Sequence, residues 1–286
     1  AYMFNNVSKL TSLYISKFDT TKVENMTAMF NNLYVVTSLD VSKFNTAQVK
    51  DMAYMFNNCY KIKELKIGRF STNNVKDMKF LFNNLYEVTS LDVSKFSTWG
   101  VTDMSHMFNN CSKVKELKIT GFRTPNVKNM DSMFNNCYEV TSLDTYYFNT
   151  PLVTNMANMF NNCNKIRYLN LRGFNTQYVE DMKNMFANCN QLTSIIISAS
   201  FSAPNVKDMQ NMFINCYNLE SVDLSNFSTQ KVENMQSMFN NCEKLKILKL
   251  QNFRTSFVKD MSYMFRNCKA LTYLDVSKFN TQNVTN

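Results

Sequence analysis

Residues 46–72 read TAQVKDMAYMFNNCYKIKELKIGRFST. Two periodicities meet in this stretch. Val49, Met52, Met55, Phe56 and Cys59 are spaced by three, three, one and three, which predicts an apolar helical stripe of about three turns. Thr46 stands in front of it as an expected N-cap, whose hydroxyl accepts a free first-turn N–H. Ile62, Leu65 and Ile67 then close with a two-residue alternation, which predicts a short strand with one buried face. Phe70 returns to the core, and Thr72 restarts the cycle. One short helix and one short strand bury too little apolar surface alone, so stacked copies must supply the rest.

The copies are present. The Phe of the Met-Phe pair recurs at Phe4, Phe30, Phe56, Phe82 (as Leu-Phe), Phe108, Phe134, Phe160, Phe186, Phe213, Phe239 and Phe265, nine steps of 26 residues and one of 27. Such a period belongs to solenoids, propellers and helical arrays. A propeller blade needs several strands in about 40 residues, and a helical repeat needs two helices in about 33 or more. The expectation is therefore an α/β fold, a leucine-rich-repeat-like solenoid of about eleven 26-residue units, each with one short parallel strand and one short helix. It forms a single solenoid over residues 1–286, with the 27-residue unit at 187–213. Both ends look raw, residue 1 mid-helix and residue 286 just before another unit, so the reading is a fragment of a longer array.

The consensus M-F-x-N-C-x-x-L-x-x-L-D-[VL]-S-x-F-x-T-x-x-V-x-[DN]-M, carried for example by Met238-Phe239-Asn240-Asn241-Cys242 with Leu245, Leu248 and Leu250, resembles a known repeat. It is similar to the 26-residue surface-protein repeat of mycoplasmas and Listeria-type bacteria, a BspA-like class of leucine-rich repeat. The resemblance spans residues 1–286. It implies a cell-surface setting and a role in adhesion or in binding host or matrix partners.

Each recurring slot has a reading of its own. All eight cysteines share one slot: Cys59, Cys111, Cys137, Cys163, Cys189, Cys216, Cys242 and Cys268, with Val7, Leu33 and Leu85 in it elsewhere. A slot that takes Cys, Leu or Val holds a small buried hydrophobe. In-register parallel side chains do not converge as a disulfide requires, so reduced core thiols are expected; a disulfide or soft-metal ladder is the competing reading. The residue before this slot is Asn in every unit, among them Asn58, Asn84, Asn110, Asn136, Asn162 and Asn188. Asn tolerates the left-handed conformation at a helix end, and a stack of such side chains is expected to form a hydrogen-bonded ladder. The Met pairs, such as Met104 with Met107, read as core.

Chemistry finds little to work with. His106 is the single His, so no Ser–His, Cys–His or His-based zinc site can assemble. Its slot, shared with Ala28, Tyr54, Ser132, Asn158 and Asn184, reads as a variable, exposed helix position. No Gly-rich phosphate loop occurs. No catalytic residue, metal ligand or cofactor is assigned, and the chain reads as non-enzymatic. No run of apolar residues is long enough to span a membrane.

The outward strand slots are more informative. The middle one runs Asp40, Lys66, Asp92, Lys118, Asp144, and a second column runs Lys61, Glu87, Lys113, Glu139, Lys165. Both alternate in sign, so two units act as one 52-residue super-repeat in which opposite charges on adjacent rungs hold the register. The order breaks between residues 142 and 201. Tyr146 and Tyr147 replace Ser-Lys, Tyr168 replaces Ser or Glu, Ile196 replaces a charge, and the 27-residue step falls here. With Asp144, Arg167, Asn170 and Arg172 alongside, these residues have the makeup of a partner-binding patch. A third column, Tyr34, Tyr60, Tyr86, Tyr138 and Tyr217, follows the Cys/Leu slot.

The net charge is +9, from 31 basic against 22 acidic residues. Because lysines alternate with acids instead of clustering, sequence-specific nucleic-acid binding is not expected. The functional expectation is a non-enzymatic protein-interaction scaffold, extracellular or at the cell surface, that adheres to a protein or glycan ligand on a host or matrix surface. The alternative is a structural subunit that packs end to end with neighbouring subunits or docks in a larger assembly such as a filament, coat or virion.

Overall fold

The computed structural model describes residues 1–68 and 70–286. Among the described residues eight short strands form: β1 (Ser38–Asp40), β2 (Glu64–Lys66), β3 (Ser90–Asp92), β4 (Glu116–Lys118), β5 (Tyr168–Leu171), β6 (Ser194–Ile197), β7 (Ser221–Asp223) and β8 (Ile247–Lys249). They pair in parallel and two by two, β1–β2, β3–β4, β5–β6 and β7–β8. The register joins residues 26 apart, as Leu39 with Leu65 and Leu91 with Leu117. A second parallel ladder of single bridges runs along another side of the chain, from Asn25 through Asp51, Asp77 and Asp103 to Asp260. The molecule is a parallel β-solenoid with one repeat unit per rung.

No α-helix occurs among the described residues, which corrects the α/β expectation of one helix per unit. The segment Met104–Cys111 shows why. Met107 N–H bonds Met104 O at 3.2 Å and Cys111 N–H bonds Phe108 O at 3.1 Å, so the chain makes consecutive turns of three-residue reach. Between them, His106, Phe108 and Asn110 donate to Asp131 O, Met133 O and Asn135 O of the next unit at 2.8–2.9 Å. A helix would keep those bonds inside the segment. His106 (φ 56°) and Asn110 (φ 59°) are left-handed, and both sit third in their turns, where a type II turn requires positive φ. Left-handed residues four apart cannot belong to a right-handed helix. The spacing of three, one and three is therefore the signature of stacked turns, and it imitates a helical stripe.

The expected N-cap is also something else. Thr72 Oγ1 accepts Ser97 N–H at 2.7 Å and donates to Ser97 O at 2.9 Å, and Thr46 Oγ1 donates to Ser71 O at 2.9 Å. Where Thr fills this slot, its hydroxyl ties the unit to the next one's backbone.

Packing follows columns. The Phe4-to-Phe265 rings stack with centroids 5.1–5.9 Å apart and planes within 15° of parallel, the offset arrangement that aromatic quadrupoles favour. A second column includes Phe70, Phe96, Phe122, Phe148 and Phe174. The amide ladder is present as well: Asn84 Nδ2 donates to Asn58 Oδ1 at 2.6 Å, and Asn110, Asn136 and Asn162 continue it at 2.6–2.7 Å. All eight cysteines are free. Each is also a donor, a role beyond that of a plain hydrophobe: Cys111, Cys137, Cys163 and Cys189 place Sγ 3.1–3.3 Å from the Phe carbonyl of the preceding unit.

The pairing by twos coincides with the 52-residue super-repeat. Asp40 faces Lys66, Asp92 faces Lys118 and Asp223 faces Lys249 across paired strands. Asp92 Oδ1 also accepts Ser94 N–H at 3.0 Å, capping the turn that leaves its strand; bonding to Ser94 is the main reason its carboxyl is held below the usual range. A Lys cannot cap that turn. Between β2 and β3 no ladder forms among the described residues, and a cleft of about 310 Å³ opens there.

Candidate interaction surfaces

The strand face presents most of the residues singled out between 142 and 201. Asp144 Oδ1 accepts Tyr146 N–H at 3.2 Å, the same turn cap that Asp92 makes. Tyr146 and Tyr147 are exposed and meet edge to face at 4.9 Å. The Arg123 guanidinium lies 3.7 Å from the centre of the Tyr147 ring, a cation–π contact. In the next unit the slot of Tyr147 holds Gly173, where an added Cβ would lie 2.1 Å from Phe148 O and 3.2 Å from Tyr146 O. The neighbouring rung therefore brings no side chain over Tyr147 from that slot.

Tyr168 is exposed at the outward position of β5, and Arg167 and Arg172 are exposed beside it. Among the described residues none of Arg123, Arg167 and Arg172 has an ion-pair partner. Asn170 is half-buried, with Oδ1 accepting Arg172 N–H at 3.2 Å. Ile196 is only half-exposed within β6, so it contributes less surface than its slot promises. Around the 27-residue unit the ladders reorganise. Asn188 Nδ2 bonds Asn161 Oδ1 at 3.2 Å instead of Asn162, Phe201 tilts 52° against Phe174, and Thr176 Oγ1 takes two N–H groups, from Ser202 and Ala203.

His106 is half-buried, which corrects its reading as an exposed helix position. Its ring stacks on Phe80 at 4.3 Å, and Phe80 stacks on Tyr54 at 4.8 Å. Burial pushes its pKa down, against the opposing pull of Asp131 and Asp103. Of the tyrosine column, Tyr34, Tyr60 and Tyr86 stack at 5.4 and 5.2 Å, while Tyr138 and Tyr217 stand apart from them with Ser112, Asn164 and Asn190 in the slots between.

One edge escapes the sequence reading. The turn after the Thr slot, which holds Ala203 in one unit, projects two residues, and the second of these is Asn74, Asn126, Asn205 and Asn283 in four units. Their Nδ2 groups donate to Ala47 O, Trp99 O, Gln177 O and Ser256 O of the preceding unit at 2.7–2.8 Å. In three other units the same slot holds Leu152, Tyr178 and Phe257, all exposed, and Trp99 stands in the slot beside it. A slot-by-slot comparison of polarity would have found them.

The profile of the family described as "Mycoplasma protein of unknown function, DUF285" matches residues 1–114, 82–200, 161–248 and 196–286. The chain belongs to that family. Comparison with curated proteins finds no match. Among solved structures, this DUF285 chain is similar to a leucine-rich-repeat protein of Leptospira interrogans at 12% identity and a TM-score of 0.36, covering 79% of this chain and 52% of that one. An internalin of Listeria monocytogenes aligns at 16% identity and a TM-score of 0.35, over 85% of this chain and 67% of that one. A leucine-rich cell-surface protein of Faecalibacterium prausnitzii aligns at 15% and 0.34, over 90% and 84%. The chain spans about half the length of the Leptospira protein.

Proposed function

We propose that this solenoid is a non-enzymatic interaction scaffold displayed at a bacterial cell surface, where its strand face holds a protein or glycan partner. The observation that carries the reading is the cluster of Tyr146 and Tyr147 with Arg123 behind one ring and Gly173 in the adjacent slot. Repetition supplies an internal control for it. Slots that form the Phe4-to-Phe265 and Asn columns hardly vary over eleven units, because each serves a neighbour on both sides. Strand-face slots are free to vary, and here they exchange Ser and Lys for exposed aromatic rings beside unpaired guanidinium groups. Exposed Tyr and Arg are the residues that most often anchor protein interfaces. The surface setting rests on the resemblance of the repeat to bacterial surface-protein repeats.

The test is a panel of immobilised matrix proteins and glycans, with the Tyr146→Ala/Tyr168→Ala variant beside the parent chain. A partner held by the parent should be lost from the variant, with Tm unchanged because both side chains are exposed. A fall in Tm with unchanged binding would overturn the reading. Trypsin release of repeat peptides from intact source cells checks the location, and protection until lysis would overturn it.

A further inference from the structure

The edge formed by the turns after the Thr slot carries a second, independent surface, and we infer that it seats the solenoid on an anionic lipid bilayer. The second turn slot holds a bonding Asn in four units, Lys22, Gln48, Gly100 or Lys231 in four more, and a large apolar or aromatic side chain in three. Asn in the second turn slot clamps the preceding unit by a hydrogen bond of 2.7–2.8 Å in four units. Leu152, Tyr178 and Phe257 replace that amide. They forfeit the clamp without gaining burial in return, since they remain 41%, 50% and 64% exposed. Trp99, the single Trp, is 62% exposed on the same edge. Exchanging a structural hydrogen bond for solvent-facing apolar surface is destabilising in the free chain, so these residues act on something outside it.

Their chemistry and layout point to a lipid surface. Trp, Tyr, Phe and Leu beside lysine are the side chains that settle at a membrane–water interface, rings in the acyl boundary and cations at the headgroups. From Trp99 to Phe257 is six rungs, or about 30 Å at a rung spacing of about 4.8 Å, a line long enough to meet a plane at several points together. The charge agrees. In the second turn slot and the column beside it, seven lysines between Lys22 and Lys259 stand against three glutamates, Glu24, Glu180 and Glu233. Those three are taken by Lys50, Lys207 and Lys259 at 2.6–2.7 Å. Lys76 and Lys128 have no ion-pair partner among the described residues, and Lys128 borders a shallow depression of about 480 Å³ floored by Leu152 and Tyr178. Each unpaired lysine near an anionic leaflet strengthens the attraction.

Trp99 reports the event directly. With vesicles of phosphatidylcholine and phosphatidylglycerol, its emission should shift to the blue and become protected from iodide, while vesicles of phosphatidylcholine alone leave it nearly unchanged. The triple variant Leu152→Asn/Tyr178→Asn/Phe257→Asn keeps both the charge and Trp99. It should bind anionic vesicles ~10-fold or more weakly, and its Tm should stay level or rise as the amide clamps are restored. Lys76→Gln/Lys128→Gln should weaken binding by a smaller factor and flatten its salt dependence. No change of Trp99 emission with anionic vesicles overturns the inference. So does unweakened binding by the triple variant, or an equal response to soluble heparin, which would make the edge a simple polyanion site. Because Tyr146 and Tyr168 are untouched, loss of vesicle binding with retained partner binding separates this edge from the strand face.

Discussion

Residues 27–118 and residues 137–268 are built from the same unit and obey different rules. In the first region odd and even rungs differ in the core and at the surface alike: Leu33 and Leu85 alternate with Cys59 and Cys111, and Ser-Leu-Asp strands alternate with Glu-Leu-Lys strands. In the second region every rung carries Cys, and the strands read Tyr-Leu-Asn-Leu, Ser-Ile-Ile-Ile, Ser-Val-Asp and Ile-Leu-Lys. The backbone path tolerates both because the ladders of turns, phenylalanines and amides run through each. What changes is how much each region leans on buried thiols, on ring alignment and on surface charge.

The largest difference should come from alkali. Burial pushes the Cys59, Cys137 and Cys189 thiols up to about 12 from an ordinary 9.0. It also raises Cys111, Cys163, Cys216 and Cys242. A raised folded-state pKa is stability that is complete below about pH 9 and is lost as pH climbs toward 12, at about 1.4 kcal/mol per pH unit for each thiol. The second region holds six consecutive cysteines and the first only two of four slots. Alkylation mapped by mass spectrometry across that pH range should therefore label Cys163, Cys189 and Cys216 together and before Cys59. Prior labelling of Cys59 would break the comparison. Cys→Val in the second region should move its opening to higher pH.

Ring alignment comes next. Phe108 lies between Phe82 and Phe134 at 5.7 and 5.6 Å with nearly parallel planes, whereas Phe201, in the second column, meets Phe174 at 52° and Phe227 at 32°. Both are fully buried. Phe108→Ala should cost about 3–5 kcal/mol in urea unfolding, and Phe201→Ala about 1 kcal/mol less, the share of a well-aligned aromatic neighbour. Equal costs would show that the tilt carries no energetic consequence.

The amide ladder should give a smaller contrast. Asn110 donates to Asn84 and accepts from Asn136, each at 2.6 Å, while Asn188 donates sideways to Asn161 at 3.2 Å and accepts from Asn215 at 2.7 Å. Asn110→Ala loses these bonds and keeps a left-handed φ that Ala resists, so about 1–3 kcal/mol is expected. Asn188→Ala should cost less. Asn110→Gly separates the two contributions, because Gly removes the backbone strain and leaves only the lost amide.

How much of this is legible in the chain depends on what each slot does. The unit length, the buried columns and the Asn ladder can be read because repetition exposes them eleven times. Exposed Tyr146, Tyr147 and Tyr168 can be read because they break a column. The turns pass for a helix because chains that reverse at Tyr54, Phe80 or His106 space their apolar residues much as a helix does. Nothing in a Tyr or Phe announces positive φ, which only the stacked neighbour enforces. Arg123 over Tyr147 joins residues 24 apart through the rung geometry, so it is invisible in the linear chain. The apolar edge is hidden because Leu152, Tyr178 and Phe257 each look ordinary until compared with the Asn that fills their slot elsewhere.

The smallest effect concerns surface charge, and it separates stability from register. Lys165 meets Glu139 at 2.7 Å with both side chains about a third or more exposed, a pair worth about 0.2–1 kcal/mol. Lys113 and Glu87 make the same contact one super-repeat earlier, at 2.9 Å. If the alternating columns mainly hold the register, Lys165→Glu should lower Tm only slightly, yet raise the fraction that refolds into aggregated or slipped species, because like charges then face each other across adjacent rungs. The exchange Glu139→Lys/Lys165→Glu restores the local pair. It also sets a second positive charge against Lys113 on the rung before, and so should restore only part of the refolding yield. Full recovery by the exchange would mean that the single contact matters and the alternating column does not. Refolding yields measured at low and high salt decide between these, since screening should erase the column's influence and leave the Phe and Asn ladders untouched.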